Sequence, residues 1–166
     1  MSTRKLTALA LFTTISLTVY AIECAIPPLV PIPGIKPGLA NIITLILLKR
    51  YSSKEAALVL TARILLSALL FGQAVSLFYS ICGGLVSLLI MILFNRLLKK
   101  HCLFLTGSLG GLFHNLAQLL AAMLITSSMA VLAYLPHLVI AGILTGLFTG
   151  FCAMYAAKFL PKDLHA

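Results

Sequence analysis

His114, Asn115 and Gln118 form a polar set inside an apolar run, in a chain that is 61% hydrophobic and 9% charged. His114 and Gln118 stand four apart, so on a helix they share a face, with Asn115 beside it. An imidazole and two amides so placed can read the polar edge of a small molecule. The same groups also serve as hydrogen-bond glue between membrane helices. Arg63 sits in the middle of another apolar run. A guanidinium at that depth is costly unless it faces the bundle interior and finds a partner. Its planar fork suits a carboxylate or phosphate; the competing role is a tether satisfied by Glu23 or by backbone carbonyls. Glu23 lies about a turn from the end of the first apolar run. Lys36 lies in Pro33-Gly34-Ile35-Lys36-Pro37-Gly38-Leu39-Ala40-Asn41, a kinked polar stretch between two apolar runs. There it is either an exposed loop charge or part of a lid. Asn41 either lines a site or caps a helix start.

The elements that position these groups are membrane spans. With 166 residues and a mean hydropathy of +1.14, the chain forms one domain with no segment for a separate soluble one. Apolar runs of about 20 residues recur, the length that crosses a hydrocarbon core ~30 Å thick. The expected fold is an all-α integral membrane protein with six transmembrane helices, at about 6–26, 38–48, 55–71, 75–98, 103–125 and 131–159. The second is short for a full crossing, and the prolines before it resist helix. Arg4 and Lys5, then Lys49, Arg50 and Lys54, then Arg96, Lys99 and Lys100, then Lys158 and Lys162 all fall on one side of this topology. The positive-inside rule makes that side, and both termini, cytoplasmic. These groups hold ten of the twelve basic residues. The net charge of +9 is thereby an orientation signal, and nucleic acid is not an expected partner. Lys36 and Arg63 are the two basic residues that orientation does not explain.

Placed by depth, the polar groups run from mid-membrane to the outer surface. The expected site is an outward-open pocket with Arg63, His114 and Gln118 as floor. Glu23, Asn41 and Gln73 make the upper wall, and Lys36 lies in the loop above. With histidine neutral, Glu23, Lys36 and Arg63 sum to +1, which predicts a small ligand bearing a carboxylate, phosphate or ring carbonyl. His101, His137 and His165 fall near span ends and read as interface residues. Cys24, Cys82, Cys102 and Cys152 have no metal-ligand spacing and read as apolar packing residues. No metal or cofactor is expected. The N-terminal run resembles a signal segment but continues past Cys24, so a retained first helix is expected. Ala10, Thr14 and Thr18 recur every four residues, as do Gly142, Gly146 and Gly150. Such small faces either pack within the chain or dock another membrane subunit.

Three segments together carry a resemblance. Pro33 to Leu45 (PGIKPGLANIITL), Ser80 to Ser87 (SICGGLVS) and Gly107 to Gln118 (GSLGGLFHNLAQ) resemble, in order, motifs of the Gx transporter family. That family is also labelled heptaprenyl diphosphate synthase component I and is related to the substrate-binding S components of energy-coupling-factor (ECF) transporters. Glu23 and Arg63 fall where the family has an acidic residue and an arginine. Pro37 departs from it, standing where an apolar residue such as leucine is expected. The resemblance implies an S-component-like bundle in a bacterial cytoplasmic membrane. It further implies Pro33, Gly34, Pro37 and Gly38 in a lid over the substrate, and Ala10, Thr14 and Thr18 facing a coupling subunit. There is no phosphate-binding G-x-x-x-x-G-K-[ST] loop, so ATP-driven uptake needs ATPase subunits. Prenyl synthases hold diphosphate through magnesium on several carboxylate oxygens, whereas this chain has one aspartate, Asp163. It is not expected to be an enzyme. A non-catalytic subunit of isoprenoid or quinone synthesis is the alternative, and a channel or proton-coupled carrier using His114 a third.

Overall fold

A computed structural model describes residues 3–27, 35–71, 74–98 and 102–160. Pro33, Gly34, Gln73, His101 and His165 lie outside these described residues. The chain is all-α. Its helices are α1 (Thr3–Ala25), α2 (Asn41–Arg50), α3 (Ser53–Phe71), α4 (Ala74–Leu97), α5 (Leu103–Thr126) and α6 (Leu135–Phe159), with a 3-10 helix at Met129–Tyr134 before α6. Among the described residues, four stretches are long and apolar enough to cross a membrane: α1, α4, α5, and the 3-10 helix joined to α6. These are the helices of a multi-pass membrane protein. Their outward faces are apolar, with Leu11, Leu89, Leu124, Ile140, Leu144 and Phe148 all exposed.

Two helices begin later than expected. The second helix begins at Asn41 rather than at 38, because Gly38 takes a left-handed φ of +83° that turns the chain into it. At 10 residues, α2 is about 15 Å long, half a bilayer core. It survives at that length because neighbours cover it: Ile43 through Leu48 are all buried. The sixth run breaks near its start. Ser127, in a left-handed conformation (φ 49°), ends α5. Ser128 then caps the 3-10 turn by accepting from the Ala130 N–H at 3.3 Å. Pro136 sits in the first turn of α6, where a missing N–H costs nothing.

The glycines of α6 pack within the chain, against α5. A Cβ on Gly111 would stand 2.9 Å from Gly146 Cα, and one on Gly107 2.9 Å from Gly150 Cα. The two backbones therefore touch, as small-residue membrane interfaces allow. The Ala10, Thr14 and Thr18 face is different: all three residues are exposed.

The ends bearing basic residues converge. Lys5 on α1 pairs with Glu55 on α3 at 2.5 Å. The Asn95 amide on α4 donates to the Leu48 carbonyl of α2 at 3.1 Å. Arg50 Nε donates to the Ala157 carbonyl of α6 at 2.5 Å. The opposite ends carry the polar cluster.

Candidate functional site

Glu23 comes first in chain order and does something the sequence does not announce. One carboxylate oxygen accepts from the Leu39 N–H at 2.6 Å and the other from the Ala40 N–H at 3.3 Å. Ala40 is the residue at the α2 N-cap. A carboxylate there meets orphan donors and the positive end of the helix dipole. Glu23 thus caps α2 from a different helix. The reading of Asn41 as the cap of α2 is corrected: its side chain donates instead to Ser87 Oγ on α4 at 3.3 Å.

Lys36 is anchored twice. Its backbone N–H donates to Gln118 Oε1 at 3.1 Å. Its ammonium donates to Tyr20 Oη at 2.6 Å and lies 3.0 Å from Cys24 Sγ. The same ammonium is 3.8 Å from the Tyr20 ring centre, with the Arg63 guanidinium carbon 5.4 Å from that ring. Two cations so flank one aromatic ring, an attraction to its electron-rich face. Tyr20 Oη also bonds Ser76 Oγ on α4 at 3.0 Å. The Pro37 carbonyl accepts from Thr145 Oγ1 of α6 at 3.2 Å. Three helices therefore clasp the 35–40 loop.

Beneath it lies His114, held between two glycines. A Cβ on Gly38 would stand 2.9 Å from its Cδ2, and one on Gly83 of α4 2.9 Å from its Nδ1. Both positions need the absence of a side chain for the ring to fit. Gln118 Nε2 lies 3.1 Å from His114 Nε2. Arg63, 4% exposed, has an Nε with no hydrogen-bond partner among the described residues, and His114 Nδ1 has none either.

Tyr20, Glu23, Lys36, Gly38, Asn41, Arg63, His114 and Gln118, with Ala40 and Ser80, line one cavity of about 10 Å³. That is room for one water-sized body, so a larger ligand enters only when the loop shifts. The structure thus brings together six of the seven residues expected to bind ligand. Asn115 is the exception and a correction. One residue on from His114, it is rotated toward α6, where its amide donates to the Leu138 carbonyl at 2.9 Å. Tyr20, Ser76, Ser80 and Thr145 were not anticipated. For Tyr20 the signal was present: it stands three residues before Glu23, on the same helix face. Beside the loop, along the outer flank of α6, runs an apolar groove of about 360 Å³ lined by His137, Ile140, Ala141, Leu144 and Thr145.

A family model, heptaprenyl diphosphate synthase component I, matches residues 12–156. The chain belongs to this family. The matched stretch includes every residue of the cavity and of its loop. No curated protein and no solved structure matches the chain.

Proposed function

We propose that this member of the family is a substrate-capture subunit, the S component of an ECF-type transporter in a bacterial cytoplasmic membrane. In this reading the chain crosses the membrane six times with both termini cytoplasmic. It takes up a small molecule, anionic or resembling a quinone or isoprenoid precursor, and has no catalytic role. A coupling subunit and ATPase subunits are its partners. The observation that carries the reading is the buried polar cavity at the end of the bundle away from the basic groups, closed by a loop that three helices clasp. Arg63 anchors the anionic group, His114 and Gln118 read the polar edge, and Lys36 travels with the lid. The groove beside Thr145 gives an apolar portion of the ligand a place at the lid's flank.

Arg63→Ala tests this. The variant removes a guanidinium whose Nε is unpartnered, and binding is expected to suffer more than folding. Ligand binding to the purified chain falls by roughly ten- to hundredfold, the worth of a hydrogen bond to a charged group. Normal binding by the alanine variant would overturn the pocket assignment. The family's description supports a second reading, a non-catalytic membrane subunit beside a soluble prenyl synthase. Co-purification separates the two: coupling and ATPase subunits favour uptake, an aspartate-rich soluble synthase the other.

A further inference from the structure

Among the described residues, the charged side chains that line the cavity are Glu23, Lys36 and Arg63. Residues 28–34 contain no ionisable side chain, so their placement cannot change the count. Glu23 accepts at both oxygens, the pattern of an ionised carboxylate. Tyr20 Oη accepts from the Lys36 ammonium and lies 3.0 Å from Ser76 Oγ. His114 is neutral by hydrogen-bond logic. The Lys36 N–H can only donate, so the Gln118 oxygen faces Lys36 and the Gln118 amide N–H faces His114 Nε2. That nitrogen must accept and cannot carry a proton. The cavity therefore holds one unit of positive charge in excess.

We infer that the site selects a singly charged acid, a carboxylate-type monoanion, and rejects dianions and diphosphates. This rests on the uptake reading in so far as the cavity is a ligand site. A monoanion in the cavity that Arg63 and Lys36 both line brings the site to neutrality. A dianion leaves one negative charge uncompensated and a diphosphate leaves more, and a buried unpaired charge is strongly unfavourable. Glu23 cannot relieve this, because it is itself negative and the only carboxylate among the described residues that line the site.

The test is calorimetric titration of the purified full chain in lipid nanodiscs, at fixed ionic strength. The probes are butyrate, succinate (the dicarboxylate of equal carbon count) and pyrophosphate. Butyrate binds at least about tenfold more tightly than the other two, the least that an uncompensated buried charge costs. Glu23→Gln keeps an oxygen for the Leu39 N–H and raises the site to two positive charges, so the margin over succinate shrinks or inverts. Lys36→Met keeps the stem over Tyr20 and brings the site to zero, so butyrate binding weakens. Tighter succinate or pyrophosphate binding by the wild type overturns the inference, as does a margin that neither variant moves. Mass spectrometry of small molecules retained by the same preparation gives a second readout. A retained molecule with one acid group supports the inference. One with two or more overturns it and leaves the capture reading standing. No retained molecule together with no probe binding overturns both.

Discussion

Gln118 has a single amide oxygen, and the lid takes it. The bond from the Lys36 N–H at 3.1 Å and the contact to His114 Nε2 at 3.1 Å fix one tautomer of His114, with its proton on Nδ1 toward Gly83. That nitrogen packs against Gly83, where a Cβ would stand 2.9 Å away. Nitrogen NMR of histidine-labelled protein at neutral pH shows this tautomer for His114. An Nε2–H form, or an imidazolium, would break the Gln118 chain and with it the charge count of the cavity. The sequence makes the His114–Gln118 pairing legible because helical spacing alone puts the two on one face. It does not reveal that Asn115 turns to α6, or that Gly38 and Gly83 close on the ring. Those facts depend on which helix stands beside each face, and spacing within one helix carries no such information.

At the scale of elements, helix existence follows from apolar runs and helix ends follow from individual residues. α4 and α5 fall within a residue of the expected limits, because charge or polarity ends each run. α2 and α6 start late because Gly38 and Pro136 govern a few residues against the hydropathy of the whole run. The packing of α6 was left open by its sequence, since a Gly-x-x-x-Gly face fits an internal neighbour as well as an external partner. Contact with Gly107 and Gly111 of α5 decides it. A side chain on Gly146 meets Ser108 Cα and the Gly107 carbonyl group, which are backbone and cannot step aside. Gly146→Leu therefore separates α5 from α6 and costs at least about 3 kcal/mol, the upper range for overpacking. Phe148→Leu, on an exposed position two residues away, changes stability by less than about 0.5 kcal/mol. Thermal unfolding in detergent compares them. Equal melting of the two variants would mean that α5 and α6 do not meet through these glycines.

For the whole molecule, charge segregation is the feature most legible in sequence. It survives in the structure as helix ends drawn together by Lys5–Glu55, Arg50–Ala157 and Asn95–Leu48 contacts. The legible part stops at α1. Its inner face is tied at both ends, by Lys5 to α3 and by Glu23 and Tyr20 to the lid and α4. Its outer face carries Ala10, Thr14 and Thr18, all exposed. The hydroxyls on that face are already satisfied: Thr14 donates to the Ala10 carbonyl at 3.0 Å and Thr18 to the Thr14 carbonyl at 3.0 Å. A partner helix can cover them without leaving a polar group unpaired, and the small side chains let its backbone come close. If the coupling subunit docks here, Thr14→Trp holds the two helices apart. Co-purification with coupling and ATPase subunits is then lost, while ligand binding by the isolated chain is unchanged, because Thr14 lies about 9 Å along α1 from Tyr20 at 1.5 Å per residue. Leu144→Trp, on the exposed flank of α6, is the control and leaves the assembly intact. An assembly that survives Thr14→Trp would exclude this face of α1 as the docking surface.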